Sequence, residues 1–460
     1  MLWEYIREKM MKVPNQIVTE NDAVMRYDDL IAFAEIFSEK VKGQKCCAVY
    51  CKSEMAAAMA ILSCIAAKVT IVPLSERYGE NHCRKVMDFI NPTAIISDIG
   101  GELNVYKVKD STYVESQKKP AFIMCTSGTT GTPKGVMLSE RNILSNLIDI
   151  EQYFDISTSD SILVPRSLYH CAVLTGEYLL ALSKGAKIVF FSESFNPIKL
   201  IKIINTQRIT TMCGTPTLFG IMSRFVKNAR GIPLKNITLS GERLNEATAK
   251  IIRKAFPKAK IYHAYGLTEA SPRVSYLYPQ YFDKCPESIG VVLDSVKIRI
   301  LSSSGAPVKT GQYGVLWVKG KNVMLGYYNN KELTKKTIVG GWLCTGDICR
   351  INKDGMLEIR GRVDEMIIRA GMNIYPQEVE AELKKNIRTK EVLVYGYEDE
   401  QYGTQIGMKI VGDFFDEKEV RELCAKVLPT HQLPVKIEIV TDLEKNATGK
   451  VIRKVKHGRV

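Results

Sequence analysis

The chain has 460 residues, of which 45% are hydrophobic and 25% are charged, and its formal net charge is +14. These fractions exclude a chain that is disordered, collagen-like or coiled coil throughout. Residues 365–460 carry 16 basic and 16 acidic side chains, so the whole net charge lies in the first 364 residues. A diffuse basic surface suits anionic partners, but it forms no basic tail, and we expect no nucleic-acid binding.

The cysteines indicate an intracellular protein. The 12 cysteines are scattered, and the tightest group is Cys46, Cys47 and Cys51. No Cys-x-x-Cys pair accompanies them, so we expect buried strand thiols rather than a zinc site. The most apolar run, Met55–Ala67, has 13 residues and falls short of the roughly 17–25 that a membrane helix needs. We predict a buried Ala-rich helix there and, because the first residues do not resemble a signal peptide, a cytoplasmic protein without a membrane span.

Apolar runs typical of strands alternate with helix-like stretches over the first two thirds of the chain. The predicted strands are Cys46–Tyr50, Val69–Pro73, Thr93–Ser97, Ala121–Thr126, Ser161–Pro165, Lys187–Phe191 and Thr210–Cys213. Helical stretches such as Glu177–Ser183 and Ile198–Asn205 lie between several of them. Such alternation predicts an α/β fold with largely parallel sheets.

The pattern of predicted elements changes after Ile289. Short strands separated by turn residues are predicted at Val296–Leu301, Gly314–Lys319, Ile348–Asn352 and Met356–Arg360, which indicates a small β-rich subdomain. From there the predicted order is helix Glu378–Lys385, strands Val392–Tyr397 and Gly407–Val411, helix Glu417–Val427 and strand Lys436–Val440. We therefore expect a large N-terminal domain over residues 1–363 and a small α+β C-terminal domain over residues 364–460.

The strongest local signal is Thr126-Ser127-Gly128-Thr129-Thr130-Gly131-Thr132-Pro133-Lys134-Gly135. Glycines let backbone N–H groups approach an oxyanion, hydroxyls donate to its oxygens, and a lysine neutralises its charge. The segment lacks the Gly-Lys-Ser/Thr ending of a Walker loop. It predicts a loop that grips a polyphosphate, and a flexible Gly/Thr connector is the alternative.

This loop resembles the signature of the adenylate-forming superfamily, which contains acyl- and aryl-CoA synthetases, adenylation domains of nonribosomal peptide synthetases, and luciferases. Four further motifs follow in the family's order: Tyr265-Gly266-Leu267-Thr268-Glu269, Gly341-Trp342-Leu343-Cys344-Thr345-Gly346-Asp347, Gly361-Arg362-Val363-Asp364-Glu365 and Thr448-Gly449-Lys450. The resemblance spans nearly the whole chain. It implies an ATP-dependent, AMP-forming ligase that activates a carboxylic acid as an acyl-adenylate and passes it to a thiol.

The resemblance assigns roles to residues of these motifs. It implies that Glu269 holds Mg²⁺, that Thr268 contacts the α-phosphate, and that Lys450 bridges the carboxylate and the α-phosphate. Tyr265 would stack on adenine, and Asp347 would accept the ribose hydroxyls with help from Arg362. The remaining predicted nucleotide-site residues are Thr126, Ser127, Gly128, Thr129, Thr130, Lys134, Gly241 and Glu242. Taken singly, Tyr265 could be a core residue, Glu269 a helix-start acid, and Lys450 one of several tail lysines.

Two segments bear on the second half-reaction and on the acid. In the resembled family the small domain rotates about the residue matching Asp364 after adenylation, and Arg369–Asn373, with Gly371, would line the thiol tunnel. The segment Pro165–His170 lies where the resembled family places acid-binding residues, and other walls of the acid pocket would be formed by Thr215–Leu218, Tyr262, His263 and Ala264. Tyr169-His170 resembles the aromatic-His pair that gates the acid pocket of CoA synthetases, so His170 is a predicted catalytic residue. Leu168–Leu174 contains no acidic residue, which disfavours α-amino acids.

Three functions remain open at this stage. The first is an acid–CoA ligase for an acyl or aryl acid. The second is an adenylating enzyme that loads the phosphopantetheine of an acidic carrier protein, and Gly241-Glu242 resembles the peptide-synthetase version of that segment. The third is a nucleotide-binding protein without ligase activity. The predicted small molecules are accordingly ATP, Mg²⁺, a carboxylic acid, and either CoA or a carrier-protein phosphopantetheine.

Overall fold

The protein is described by a computed structural model that covers residues 1–127, 133–193, 195–369, 372–399, 403–413, 416–445 and 451–452. Packing divides the chain into two compact units. The first unit comprises Met1–Ile298 and Val318–Cys344, and the second comprises Arg299–Trp317 and Thr345–Val460. This division places the β-rich residues 299–317 and 345–363 in one unit with the C-terminal segment. The predicted domains, residues 1–363 and 364–460 with a hinge at Asp364, stay a prediction.

The strands are numbered in chain order. They are β1 (Ile17–Glu20), β2 (Ala23–Arg26), β3 (Cys46–Val49), β4 (Thr70–Pro73), β5 (Ala94–Ser97), β6 (Asn104–Lys107), β7 (Phe122–Ser127), β8 (Pro133–Leu138), β9 (Ser161–Val164), β10 (Lys187–Phe190), β11 (Thr211–Gly214), β12 (Asn236–Ser240) and β13 (Lys260–Gly266). They continue as β14 (Arg273–Leu277), β15 (Val291–Val292), β16 (Val296–Leu301), β17 (Gly314–Gly320), β18 (Gly326–Tyr327), β19 (Ile338–Val339), β20 (Trp342–Ile351), β21 (Leu357–Arg362), β22 (Ile367–Arg369), β23 (Met372–Ile374), β24 (Glu391–Asp399), β25 (Gly403–Val411) and β26 (Lys436–Ile439).

The α-helices are α1 (Leu2–Met11), α2 (Tyr27–Val41), α3 (Glu54–Ala67), α4 (Glu80–Ile90), α5 (Glu140–Tyr153), α6 (Cys171–Val173), α7 (Leu180–Lys184), α8 (Pro197–Thr206), α9 (Pro216–Ser223), α10 (Glu246–Ala255), α11 (Lys331–Thr337), α12 (Pro376–Asn386) and α13 (Glu417–Val427). A π-helix over Leu174–Leu179 joins α6 to α7. Among the described residues, no helix combines the length and the apolar character that crossing a membrane requires.

Two large sheets form the first unit. One has nine strands in the order β15-β14-β13-β12-β11-β9-β10-β1-β2, and the other has seven in the order β18-β8-β7-β4-β3-β5-β6. The run from β13 to β1 is parallel, and so is the run β7-β4-β3-β5. Antiparallel strands finish each sheet at its edges. The predicted α/β architecture with largely parallel sheets is confirmed.

Helix α3 is the predicted Ala-rich helix. Ser53 caps its start by accepting a hydrogen bond from the Ala56 amide, and Lys68 ends it in the left-handed conformation. The helix contacts β1 of one sheet and β3 and β4 of the other. Small apolar side chains all round the helix suit this position, because both flanks are covered. The predicted buried thiols are also confirmed, since Cys46, Cys47 and Cys51 are all buried.

The second unit has its own apolar core. Helices α12 and α13 pack on the sheet β24-β25-β26, and their core includes Val379, Leu383, Ile406, Met408 and Val420. A two-stranded sheet, β22-β23, lies beside it, and β21 pairs antiparallel with β20. Helix α13 has the predicted bounds, because Asp416 caps its first turn and its apolar residues follow a helical period.

Candidate active site

The carboxyl ends of the parallel strands of the nine-stranded sheet bring several predicted residues to one edge. Ser240 at the end of β12 pairs with Ala264 of β13. Gly241, directly after β12, and Tyr265 of β13 are therefore at the same end of two adjacent strands. Pro165 follows β9 and Thr215 follows β11 at the same edge. In open parallel sheets this edge is where ligands bind.

A tight fold-back after β13 positions Thr268 and Glu269. A side chain at Gly266 would place its Cβ 1.9 Å from the carbonyl oxygen of Pro272, so only glycine fits there. The Leu267 amide donates to that same carbonyl at 2.8 Å. The short 3₁₀ turn Thr268–Ala270 follows, and it presents the Thr-Glu pair at the strand end.

The ends of the predicted phosphate loop are strand residues. Thr126 of β7 pairs with Lys134 of β8, and Ser127 pairs with Pro133. The polyphosphate loop proper is therefore shorter than the sequence predicts. Gly128, Thr129 and Thr130 lie outside the described residues. The hairpin fixes where the loop leaves and re-enters the sheet, with Lys134 on the returning strand.

Tyr327 connects this hairpin to Glu269. Its phenol donates a hydrogen bond to Oε1 of Glu269 at 2.8 Å, and Met324 donates its amide to the Glu269 carbonyl at 2.9 Å. Tyr327 also pairs with Val136 of β8. A small cavity of about 130 Å³ is lined by Tyr327 together with Lys134. The Thr-Glu motif is thus attached to the strand that follows the predicted phosphate loop.

An aromatic cluster joins the predicted acid-binding segment to β7, the first strand of the phosphate hairpin. The Tyr169 hydroxyl donates to the carbonyl oxygen of Cys125, the neighbour of Thr126, at 2.6 Å. Nε2 of His82 lies 3.1 Å from that hydroxyl, and the Tyr78 phenol hydrogen-bonds Nε2 of His170. Burial raises the pKa of Tyr78 to about 12, with nearby Glu54 adding to the shift. This phenol is therefore neutral at physiological pH.

Sequence reasoning missed Tyr78 and His82 as members of this cluster. Tyr78 is 92 positions from His170, and His82 is 87 positions from Tyr169. Tyr78 lies just before helix α4 and His82 lies in its first turn. The sequence of this segment gives no sign of these contacts. Only the packing of the α4 segment against the end of β9 brings the four rings together.

Glu242 has a structural partner. Its Oε2 accepts the amide hydrogen of Thr217 at 3.2 Å, in the first turn of helix α9. Gly241 precedes it with φ of +88°, which favours glycine. The carboxylate therefore satisfies one of the unpaired amides of a helix start. This contact explains a Gly-Glu pair here by local structure alone.

His263 is buried in the sheet beside the predicted acid pocket. Its Nδ1 lies 3.0 Å from the carbonyl oxygen of Pro286 and 2.9 Å from that of Ser288. Burial lowers the pKa of His263, although those carbonyls oppose the shift. The ring is held neutral within the core.

Asp347 and Arg362 meet in the second unit. They pair across β20 and β21, and the guanidinium Nη1 donates to Oδ1 of Asp347 at 3.2 Å. Nε of Arg362 donates to Asp364 at 3.0 Å. Burial pulls the pKa of Arg362 down, but the two carboxylates more than offset it and the net shift is upward. The predicted ribose-binding pair is brought together.

Other predicted residues cannot be located. Gly371 and Lys450 lie outside the described residues, as do Gly128, Thr129 and Thr130, and nothing is described of the Ser127 side chain. Arg369 is described: its Nη1 donates to the carbonyls of His431 and Leu433 at 3.3 and 3.1 Å. The roles assigned to all of these residues stay predictions.

Comparison with protein families gives two matches. A model of the AMP-binding enzyme family matches residues 27–328, and a model of the AMP-binding enzyme C-terminal domain matches residues 378–450. Together they cover both ends of the set of motifs, from the predicted phosphate loop to the terminal Gly-Lys.

Individual proteins resemble the chain at lower coverage. The long-chain-fatty-acid–CoA ligase of Haemophilus influenzae is 30% identical over 350 residues, which are 74% of this chain and 62% of that ligase. The feruloyl-CoA synthase of an Amycolatopsis species is 29% identical over 339 residues, covering 72% of this chain and 68% of that synthase. The chain thus spans less than two thirds of the length of the first of these relatives.

A solved structure matches the fold over nearly the full length. The o-succinylbenzoate CoA synthetase of Bacillus subtilis, solved with its acyl-adenylate intermediate, has a TM-score of 0.86 and 23% sequence identity. The match covers 99% of this chain and 98% of that one. That synthetase has also been solved with ATP and a magnesium ion. At 23% identity, the likeness to this synthetase establishes the fold of the chain alone.

Proposed function

The chain belongs to the AMP-binding enzyme family, and we propose that it activates a carboxylic acid with ATP and transfers the acyl group to the thiol of CoA. The carboxylate oxygen attacks the α-phosphorus of ATP, the bond to the β-phosphate oxygen breaks, and pyrophosphate leaves. The thiol then attacks the acyl carbon, and AMP leaves. The relatives named for CoA ligation support this assignment.

The observation that carries the proposal is the attachment of Glu269 to the predicted phosphate hairpin. Tyr327 donates to the Glu269 carboxylate and pairs with β8, which also holds Lys134. An acid and a lysine held beside one loop suit a metal-bound polyphosphate. Positioning of charge against phosphate oxygens is the main task in this chemistry.

The donor set beside the loop fits Mg²⁺. Within the described part of the chain, no three His, Cys, Asp or Glu side chains could hold a metal together. Mg²⁺ is commonly bound by one or two carboxylates, with substrate phosphates and water supplying the rest. Glu269 would be the protein ligand. When bound, the ion would neutralise charge on the phosphate oxygens.

The motif residues would hold the nucleoside. Tyr265 would stack on adenine, and the Asp347 carboxylate would accept hydrogen bonds from the ribose hydroxyls. Arg362 is bonded to Asp347 at 3.2 Å, so it would fix the orientation of that acceptor. Lys450 would join the acid carboxylate to the α-phosphate during adenylation, and rotation at Asp364 would withdraw it before the thiol step.

CoA is favoured over a carrier protein as the acceptor. The one motif that resembles peptide synthetases is Gly241-Glu242, and Glu242 is engaged with the start of α9. That local contact removes the reason to associate the glutamate with a carrier protein. The long-chain-fatty-acid–CoA ligase and the feruloyl-CoA synthase that resemble the chain are both named for CoA.

Product mass spectrometry tests the proposal. The protein is incubated with Mg·ATP, CoA and a panel of fatty, aryl, dicarboxylic and amino acids, with a phosphopantetheinylated carrier protein as a second thiol in parallel. We expect an acyl-CoA product and AMP. Lys450→Ala serves as the blank, and Lys426→Ala, on the exposed side of α13, serves as the matched control.

Two results would overturn parts of the proposal. Acyl-adenylate that reaches the carrier protein but not CoA would replace the acceptor. No AMP with any acid, from protein that binds ATP, would refute ligase activity and favour a nucleotide-binding protein.

A further inference from the structure

A cluster of charged side chains is buried below the carboxyl edge of the nine-stranded sheet. It consists of Arg166, which follows β9, Glu177 in the π-helix, and Arg273 at the start of β14. Glu177 is fully buried and Arg273 is 3% exposed. Charged groups are rarely buried to this degree unless they are paired or bind something.

Among the described residues, one carboxylate lies within ion-pair distance of these guanidinium groups, and it pairs with Arg166. Nη2 of Arg166 donates to Oε1 of Glu177 in an ion pair. Nη2 of Arg273 lies 3.2 Å from the position that a Cβ on Gly176, the neighbour of Glu177, would occupy. Burial raises the pKa of Glu177, and the charges of Arg166 and then Arg273 oppose that shift. Glu177 can balance at most one of the two positive charges, so the three groups together carry a net positive charge.

Arg273 is held in place by its backbone rather than by an ion pair. Its amide donates to the side chain of Asn146 at 3.0 Å, and its carbonyl accepts from Asn146 at 2.9 Å and Asn322 at 3.0 Å. Tyr153 contacts the guanidinium. Of the salt bridges among described residues, none within 4.0 Å includes Arg273.

Several polar atoms of this cluster have no hydrogen-bond partner in the part of the chain that the structure describes. The buried Nε atoms of Arg166 and Arg273, and Oε2 of Glu177, find no hydrogen-bond partner among the described residues. The Ser240 hydroxyl at the end of β12 is in the same condition. Leaving one such group unsatisfied costs about 1–3 kcal/mol, and more for a charged group. The two guanidinium Nε–H groups and the Ser240 hydroxyl are therefore donors that an acceptor group of a ligand would satisfy.

The cluster adjoins the predicted acid pocket. Cys213 on β11 lies near all three charged groups, and their charges contribute to its pKa, which burial raises to about 12. Thr215 follows two residues later, in the predicted pocket wall, and Arg166 belongs to the predicted acid-binding segment. Arg166 and Thr215 thus place the cluster beside residues that are predicted to form the acid pocket.

We propose that the acid substrate carries a second anionic group, a carboxylate, which binds Arg273 with help from Arg166 and Ser240. This inference rests on the proposed function and names its substrate class. A carboxylate accepts two parallel hydrogen bonds from a guanidinium and neutralises the surplus charge. A plain fatty acid would instead place methylene groups against unpaired N–H groups. The substrate is thus a dicarboxylic acid, or an aryl acid with a second carboxylate.

Matched acid pairs test the inference without any mutation. Hexanoate and adipate, octanoate and suberate, and benzoate and phthalate differ by the second carboxylate. Acid-dependent ATP–pyrophosphate exchange gives kcat/KM for each acid, and calorimetric titration of the same acids gives binding without catalysis. We expect at least one diacid to exceed its monoacid by about 100-fold in kcat/KM.

Variants locate the preference. Arg273→Met should remove it, Arg273→Lys should keep part of it because the charge remains, and Arg141→Met, exposed on α5, should leave it unchanged. Circular dichroism checks that each variant folds. If Arg273→Met does not fold, the wild-type comparison of the acid pairs still decides.

The outcomes separate this inference from the proposed function. Adenylation of monoacids in preference to diacids would overturn the inference and leave the ligase intact. Diacid binding that depends on Arg273, without any exchange activity, would support the inference and refute the ligase. A diacid preference unchanged in Arg273→Met, or no acid bound at all, would overturn the inference.

Discussion

The Tyr327 phenol donates a hydrogen bond to Oε1 of Glu269 at 2.8 Å, and it does so from a strand that pairs with β8. Glu269 stands at the end of the nine-stranded sheet, whereas Tyr327 belongs to the seven-stranded one. Together with the bond from the Met324 amide to the Glu269 carbonyl, this bond fixes the proposed Mg²⁺ ligand relative to the phosphate hairpin. A second link, from Tyr169 to the Cys125 carbonyl at 2.6 Å, joins the same two sheets.

Removing the Tyr327 hydroxyl should loosen Glu269 without removing it. We expect Tyr327→Phe to lower the rate of adenylation about tenfold at limiting Mg²⁺, since a hydrogen bond to a charged group contributes about 1.5–3 kcal/mol. High Mg²⁺ should restore part of the rate. The measurement is a Mg²⁺ titration of pyrophosphate release. Tyr106→Phe, on exposed edge strand β6, is the control, and equal effects in both variants would contradict the positioning role.

Asp347 offers a test of nucleotide binding in the second unit. We expect Asp347→Asn to weaken ATP binding by about 10–100-fold, because it loses a charge-assisted acceptor for the ribose and the ion pair to Arg362. Calorimetric titration with ATP measures this. Asp354→Asn, in the exposed turn between β20 and β21, should bind normally. ATP affinity unchanged in Asp347→Asn would refute the ribose role.

The sequence predicts a helix or strand correctly where the residues that determine it lie close together in the chain. Helix α13 has its predicted bounds because its cap and its apolar period lie within Asp416–Val427. Glu177–Ser183 was predicted as an ordinary helix, but residues 174–179 form a π-helix. There Glu177 pairs with Arg166, and Gly176 lies against the Arg273 guanidinium, so a packing partner far along the chain accompanies the distortion. No short window of sequence contains both Gly176 and Arg273.

The same limit applies to the site. Thr126, Lys134, Thr268, Glu269, Asp347 and Arg362 could be named from motifs, since each motif is a short run of residues. Tyr78 and Arg273 could not be named, because the contacts of Tyr78 with His170 and of the Arg273 guanidinium with Gly176 depend on tertiary packing. Motif recognition therefore identifies groups for the shared chemistry, whereas the groups that distinguish one acid from another require the fold.

His263 should make stability depend on pH. Burial lowers its pKa in the folded state below the usual 6.5, so the unfolded chain binds the proton first. Its contribution is fully present above about pH 6.5 and is lost as the pH falls through the folded pKa, by up to about 1.4 kcal/mol per pH unit. We expect urea unfolding at pH 7.5 and 5.5 to show a smaller loss in His263→Gln than in the wild type. The control is His431→Gln, and an unchanged loss in His263→Gln would contradict the prediction.

Lys450 should act in only one half-reaction. We expect Lys450→Ala to reduce acyl-adenylate formation by about 100-fold or more, because the lysine would neutralise charge that develops on the α-phosphate. Thioester formation from supplied acyl-adenylate and CoA should be nearly unchanged. Both half-reactions are measured by product mass spectrometry, beside Lys426→Ala. Equal loss of the two would refute the assigned role.

Asp364 should control the change between the half-reactions. Proline fixes φ, so Asp364→Pro should hold the proposed hinge in one state, spare adenylation, and block transfer to the thiol. The carboxylate also accepts a hydrogen bond from Arg362 at 3.0 Å, and a proline would remove that contact as well. Asp364→Ala separates the two effects, since it loses the same carboxylate while φ stays adjustable. We expect Asp364→Ala to turn over and Asp364→Pro to accumulate acyl-adenylate. Normal acyl-CoA production by Asp364→Pro would show that no rotation at this residue is needed.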